Sequence, residues 1–217
     1  MRVLVFGDVH GNLVALEKLF KIENGYFDKF VCHGDIVNYG PWTNECLDFL
    51  VEKKEGILLQ GNHEEYFVDG FYQGTNEVAK SFFEFCYPRF DCSKLNLISN
   101  FKKQIIVGNF KIVHSIEGKY IFNDTVIENL NFKNNTIVGH SHQQFHRIVH
   151  NKNLFNTGSI GQNREYLNVS CYLMLDTEMS TVELKSFQHD INLVINQMES
   201  DNYPQICLDY YKSKKRL

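Results

Sequence analysis

Short apolar runs along this chain alternate with segments in which apolar residues recur every three or four positions. Arg2–Phe6 is a β-rich run, and Leu13, Leu16, Leu19 and Phe20 follow at helical spacing. Residues 27–32 predict a second strand. Pro41 and Thr43 mark a turn and an N-cap before a helix whose buried face is Cys46, Leu47, Leu50 and Val51. Residues 57–60 predict a third strand. Strand and helix in this alternation call for parallel βαβ units with right-handed crossovers.

After Glu64 the pattern changes. Residues 77–87 read as a helix through Val78, Phe82, Phe83 and Phe85, and 95–101 follow more loosely. Residues 104–107 and 110–114, joined at Gly108-Asn109, predict a two-residue hairpin. Further strands are expected at 136–138, 145–150, 154–156, 171–176 and 181–187. Helical spacing returns at Ile191, Val194, Ile195 and Met198 and breaks at Pro204. The expected organisation is one domain over 1–217, with a helical insertion at about 65–101 and a helical tail at about 190–217.

Composition narrows the class. With 217 residues, 43% of them hydrophobic and 22% charged, the chain is an ordinary globular protein long enough for a sizeable core. Twenty-two Lys and Arg against 26 Asp and Glu leave a net charge of −4, which provides no global field for general nucleic-acid binding. Apolar stretches run to only a handful of residues, far short of the roughly 20 a membrane-spanning helix needs. Met1-Arg2 and the four apolar residues after it are too short for a secretion signal. Six cysteines without a Cys-x-x-Cys pair read as reduced core residues of a cytoplasmic protein. The basic run 212–216 reads as a solvated end.

The chemistry lies where the strands stop. Five apolar runs lead into metal-type side chains: Gly7-Asp8-Val9-His10, Gly34-Asp35, Gly61-Asn62-His63, His114, and Gly139-His140-Ser141-His142. Glycine there is expected to turn the chain sharply and let backbone approach a buried ion. The crevice beyond the carboxyl ends of strands is also where open α/β sheets bind ligands. Asp8 and His10, two apart, point the same way in extended chain, and His140 and His142 share that spacing. Two carboxylates, one amide and four imidazoles suit two divalent cations better than one, since a single zinc needs only three or four protein ligands. Nitrogen and oxygen donors without thiolate suit Mn²⁺ foremost, and also Fe, Zn²⁺ or Ni²⁺. Two such cations can hold a bridging hydroxide and clamp the oxygens of an in-line phosphoryl displacement.

In their order and rough spacing, Asp8-Val-His10, Gly34-Asp35-x-x-x-x-Gly40, Gly61-Asn62-His63-Glu64, His114 and Gly139-His140-x-His142 resemble the calcineurin-like metallophosphoesterase superfamily. The resemblance covers residues 1 to about 160. Gly34-Asp35-Ile-Val-Asn-Tyr-Gly40-Pro41 with Asn44-Glu45-Cys46 resembles the small bacterial-type branch of YfcE-like phosphodiesterases and diadenosine-tetraphosphatase-like proteins. It implies an α/β fold, a central two-sheet mixed β-sandwich flanked by helices in four layers. It further implies that Asp8, His10, Asp35 and His142 hold one metal, that Asp35, Asn62, His114 and His140 hold the second, and that His63 is the general acid.

Two departures stand out: Ser115 follows His114 where relatives often carry glycine, and Thr157 replaces the proline of an Asn-Pro-Gly-Ser segment. Arg164 falls where relatives often place an arginine and reads as a substrate contact or an exposed loop residue, while Asn12 and Asn38 suit either substrate contact or turns and caps. His33 reads as a hydrogen-bonded core group, and His146 and His150 read as sheet residues or rim. The expected activity is hydrolysis of a small or nucleotide-like phosphodiester or phosphomonoester. A protein Ser/Thr phosphatase is a second reading, set against the absence of an arginine in Ile36-Val37-Asn38-Tyr39. A non-catalytic module of the same fold, like the retromer subunit of this superfamily, is a third.

Overall fold

A computed structural model describes residues 1–127, 130 and 133–217. The chain begins β1 (Arg2–Phe6), α1 (Leu13–Ile22), β2 (Lys29–Cys32), α2 (Thr43–Val51) and β3 (Gly56–Leu58). Three helices follow, α3 (Asn62–Asp69), α4 (Glu77–Cys86) and α5 (Leu95–Ser99). Then come β4 (Gln104–Val107), β5 (Phe110–Val113), β6 (Asn135–Val138), β7 (Phe145–Val149) and β8 (Lys152–Asn156). The chain closes with β9 (Val169–Asp176), β10 (Thr181–Gln188), α6 (Ile191–Ser200) and α7 (Gln205–Ser213).

Two mixed five-stranded sheets result, ordered β10-β9-β1-β2-β3 and β4-β5-β6-β8-β7. β1, β2 and β3 are mutually parallel, as are β5, β6 and β8, with antiparallel partners at the remaining positions. Side chains alternate across a pleated strand, and β1 uses both faces. Val3 and Val5, with Val31, Leu173 and Leu175, meet Ile112, Ile137 and Phe155 between the sheets. Leu4 and Phe6, with Phe30, Cys32, Tyr172 and Met174, face the helices. Burial on both faces explains why β1 reads as a continuous apolar run. The far side of the second sheet, through Val138, Phe145 and Leu154, is covered by Ile121, Ile127 and Leu130. None of the helices among the described residues is long and apolar enough to cross a membrane.

Differences from the sequence reading are local. β2 starts at Lys29, because Phe27 leaves the strand direction to pack edge-on against Phe20 and Phe30. α2 begins at Thr43 with Trp42 as its N-cap, so Thr43 is not the cap. The helical insertion was expected from about residue 65, but no helix was expected to start at Asn62, where α3 begins. Its buried face is His63, Glu64 and Phe67, and a face made of an imidazole and a carboxylate gives no apolar periodicity to read.

The elements around α1 are tied by a buried polar chain whose donors can be assigned. Asn12 caps α1 by accepting from the Ala15 N–H at 3.0 Å, so its amide nitrogen is the atom 3.0 Å from His189 Nε2. Nε2 therefore accepts, and Nδ1 donates to Ser170 Oγ at 3.0 Å, which in turn donates to the Ile160 carbonyl at 2.7 Å. Only neutral imidazole fits, and burial pushes His189 down to about 4. Below its unfolded value of about 6.5 the unfolded chain binds more protons than the folded one, so stability falls as pH drops from there to about 4. This histidine should contribute a loss on the order of 3 kcal/mol over that window. Urea unfolding at pH 7 and pH 4.5 checks it: His189→Gln should reduce the difference, and an unchanged difference would contradict the assignment.

Candidate metal centre

Parallel strands point their carboxyl ends the same way, so the loops after β1, β2, β3, β5 and β6 meet at one edge of the sandwich. Asp8, His10, Asp35 and His142 converge there, each with one ligand-type atom within 4.8 Å of the others. Asp35, His114 and His140 form a second group of the same kind, and Asp35 belongs to both. Asn62 joins the second group through Oδ1, 2.9 Å from His114 Nε2. All seven residues singled out by the strand-end pattern are therefore brought together.

The hydrogen bonds around the first group show what it is built to receive. His10 Nδ1 lies 3.3 Å from the Val37 carbonyl and His142 Nδ1 2.8 Å from the Gln162 carbonyl. A carbonyl only accepts, so in both rings the proton sits on Nδ1 and Nε2 carries the lone pair. Those two Nε2 atoms face each other at 3.2 Å. His142 Nε2 is also 3.3 Å from Asp8 Oδ1, and His10 Nε2 is 3.8 Å from Asp35 Oδ2. Asp8 Oδ1 has no hydrogen-bond partner. Four acceptors, three of them buried, aimed at one point without a donor are unfavourable unless a cation sits between them. The donor set fits a divalent metal.

Each carboxylate is held by one oxygen and offers the other. Asp8 Oδ2 accepts from the His140 N–H at 3.0 Å, and Asp35 Oδ1 from the His63 N–H at 2.9 Å. In the second group His114 Nε2 lies 3.0 Å from His140 Nδ1 and 3.3 Å from Asp35 Oδ2. Burial opposes charge on His114, yet the neighbouring Asp35 carboxylate raises it to about 9, whereas burial and His114 drive His140 down to about 3. His114 thereby holds a proton readily, and a cation at the same point competes with that proton.

The backbone is bent to make this cluster. Asp8, His10, Asp35, His140 and His142 all have positive φ, between 48° and 66°. The expectation of extended chain at Asp8-x-His10 and His140-x-His142 is corrected: left-handed turns bring these side chains inward. Each such residue costs on the order of 1 kcal/mol or more. Loop-to-loop bonds hold them, including Asp8 N–H to the Gly34 carbonyl and His10 N–H to the Asp35 carbonyl, both at 2.9 Å. Two of the glycines serve a different purpose from the one expected, whereas Gly34, at φ 113°, does turn the chain sharply. A Cβ on Gly7 or Gly139 would lie 2.2 or 2.0 Å from the His33 ring, so these glycines make room for a buried imidazole. His33 itself contacts Thr157 Oγ1 at 2.7 Å and is a core group.

Glu64 is the residue sequence reasoning quoted without a role. Fully buried, its carboxylate accepts from the N–H groups of Asp35 (2.7 Å), Ile36 (2.7 Å), Val37 (3.2 Å) and Gly61 (2.8 Å). It fixes the Asp35 turn to the start of α3, and its place three residues after Gly61 was the available signal, half of a capping box. Burial and Asp35 push it up to about 7, against the four donors that favour its ionised form.

His63 borders the cluster, and burial lowers its pKa. Its Nδ1 lies 2.9 Å from the Asn38 side-chain amide, which orients the ring. Asn38 is buried behind His63 and positions it, which corrects the expectation of direct substrate contact. Asn12, buried and committed to Ala15 and His189, is corrected likewise. Arg164 does line the cleft of about 650 Å³ that opens over the cluster. Tyr39, Tyr66, Tyr72, Tyr120, Tyr210 and Lys214 wall the same cleft. Tyr120 stacks on His140 with ring centres 4.0 Å apart. Lys214 belongs to a run read as solvated, and the tail that carries it folds back over the site. His146 stacks on Phe155 in the second sheet, outside the cluster.

Residues 1–153 match the family model for calcineurin-like phosphoesterases. The chain belongs to that family. This calcineurin-like phosphoesterase is 28% identical to an uncharacterized protein of Methanocaldococcus jannaschii over 94% of each chain. Its fold is shared with a metallophosphoesterase from Sphaerobacter thermophilus at TM-score 0.79 and 24% identity, over 98% of both chains. A hypothetical protein from Pyrococcus horikoshii OT3 superposes at TM-score 0.81 with 14% identity, over 97% of both. The family is metal-dependent, in keeping with the buried Asp and His cluster. Where many phosphoesterases of this family carry proline, Thr157 donates its N–H to the Val138 carbonyl at 2.9 Å, a bond proline cannot make.

Proposed function

We propose that this chain hydrolyses a small or nucleotide-like phosphate ester, a phosphodiester or phosphomonoester, at a centre of two divalent cations. Asp8, His10, Asp35 and His142 would hold the first, and Asp35, Asn62, His114 and His140 the second, with Asp35 shared. The observation that carries the reading is the pair of His10 and His142 lone pairs facing each other at 3.2 Å beside two carboxylates. Mn²⁺ is the ion we propose, and Fe, Zn²⁺ and Ni²⁺ accept the same donors. When bound, such a pair supplies Lewis acidity and an activated water for in-line displacement at phosphorus.

The chain's own residues do the rest. His63, oriented by the Asn38 side chain and lining the cleft, would be the general acid, its imidazolium form giving a ring proton to the departing alkoxide. Glu64 holds the Asp35 turn in place. Arg164 offers N–H donors to substrate phosphate. The tyrosine-walled cleft favours a small flat ester over an extended phosphopeptide, the second reading considered above. Six unpaired cysteines accord with work in the cytoplasm.

A substrate panel tests this directly. Chelator-stripped protein should be inactive, and Mn²⁺ or Ni²⁺ should restore hydrolysis of bis-p-nitrophenyl phosphate and of at least one among a mononucleotide, a 2′,3′-cyclic nucleotide and a dinucleoside polyphosphate. Faster turnover of a phosphopeptide would favour the protein phosphatase, and no turnover of any ester with any of these metals would overturn the proposal in favour of a binding module.

A further inference from the structure

The cleft above the cluster has an outer wall whose charge the proposed chemistry uses only through Arg164. Two of its residues are cations. Arg164 hangs from the turn that carries His140 and His142: its N–H donates to the His142 carbonyl at 3.2 Å, and its Nε donates to the Ser141 carbonyl at 3.2 Å. The guanidinium terminal nitrogens remain available to the cleft. Lys214 reaches the same cleft from the end of α7, its Nζ 4.4 Å above the Tyr210 ring. Neither side chain forms an ion pair among the described residues.

Their meeting is built by the fold. The tail is pinned to the loop that carries Arg164, since the Leu167 N–H donates to the Lys215 carbonyl at 2.9 Å and Asn168 exchanges two bonds with Leu217. Inside, Gln162 donates to the buried Tyr211 hydroxyl. Burial and the nearby Arg164 guanidinium both lower the Lys214 pKa, so the two positive groups sense each other. Like charges brought together in a partly desolvated cleft without a counter-ion are unfavourable unless an anion shares the site. Arg164, Tyr210 and Lys214 all lie beyond residue 153, where the family match ends.

We propose that Arg164 and Lys214 form a second anion subsite, which selects a phosphate ester carrying a further phosphoryl group beside the one held at the metal centre. The inference rests on the phosphoesterase reading for the first group and adds the specificity for the second.

The test compares α,β-methylene-ADP with AMP as inhibitors of bis-p-nitrophenyl phosphate hydrolysis by the Mn²⁺-loaded protein, with calorimetric binding of both ligands measured in parallel. The wild type should bind α,β-methylene-ADP at least about ten-fold more tightly than AMP, as a charge-assisted contact to the additional phosphoryl group provides. Arg164→Gln and Lys214→Gln should each bring that ratio close to one, and Lys214→Arg should restore it. A wild-type ratio near one, or a ratio unchanged in both glutamine variants, overturns the subsite. Failure of the phosphoesterase reading looks different: no ester is hydrolysed, while calorimetry still decides whether the second phosphoryl group is recognised.

Discussion

Asp35→Asn should abolish both metal sites at once and lower turnover of bis-p-nitrophenyl phosphate by at least about a thousand-fold, the scale expected when metal-ion catalysis is lost. Asp35 belongs to both donor groups, with Oδ2 3.3 Å from His114 Nε2 and 3.8 Å from His10 Nε2. Asparagine is nearly isosteric, and its amide oxygen still accepts the His63 N–H that Asp35 Oδ1 accepts at 2.9 Å. What disappears is one of two negative charges balancing the metals. The fold should survive, because the backbone turn is held from the other side by Glu64. Asp8→Asn is the comparison, since Asp8 belongs to the first group only. Metal analysis should find close to no metal in Asp35→Asn and about one equivalent in Asp8→Asn. Equal retention in both would show that Asp35 is not shared.

His63→Ala should separate chemistry from metal binding. The ring borders the cluster without belonging to either donor group, so metal content should be unchanged. Turnover should fall by roughly 10²–10⁴-fold, the usual value of a positioned proton donor. The loss should be smaller for esters with acidic leaving groups, whose alkoxides need less help, and larger for alkyl esters. Unchanged activity across such a series would remove the general-acid role. Equal losses for every leaving group would mean that the ring only shapes the pocket.

Much of this was legible in the sequence because it depends on local pattern. The runs before Asp8, Asp35, Asn62, His114 and His140 read as strands, and parallel strands must deliver their carboxyl-terminal loops to one edge. Asp8 and His140, 132 positions apart, meet for that reason, and the His140 N–H closes on Asp8 Oδ2. The means by which the side chains turn inward was not legible: spacing of two suggests extended chain, whereas the loops use left-handed turns whose strain is held by bonds to other loops. The glycines were visible, but the reason for Gly7 and Gly139, the buried His33 ring, is a tertiary contact. The start of α3 escaped because function replaced its apolar face. Asn12 and Asn38 were recognised as lying near the site, yet nothing in sequence separates an amide that meets substrate from one that caps a helix or orients an imidazole. Lys214 could not be placed at all, since its approach to Arg164 depends on how the final residues pack onto the 162–168 loop.

The central claim is that this edge of the sandwich holds two cations around one shared carboxylate. Anomalous scattering from crystals grown with Mn²⁺ tests it most directly. Two peaks should flank Asp35, one among Asp8, His10 and His142 and the other among Asn62, His114 and His140; a single peak, or manganese bound away from these residues, would rule out the shared pair.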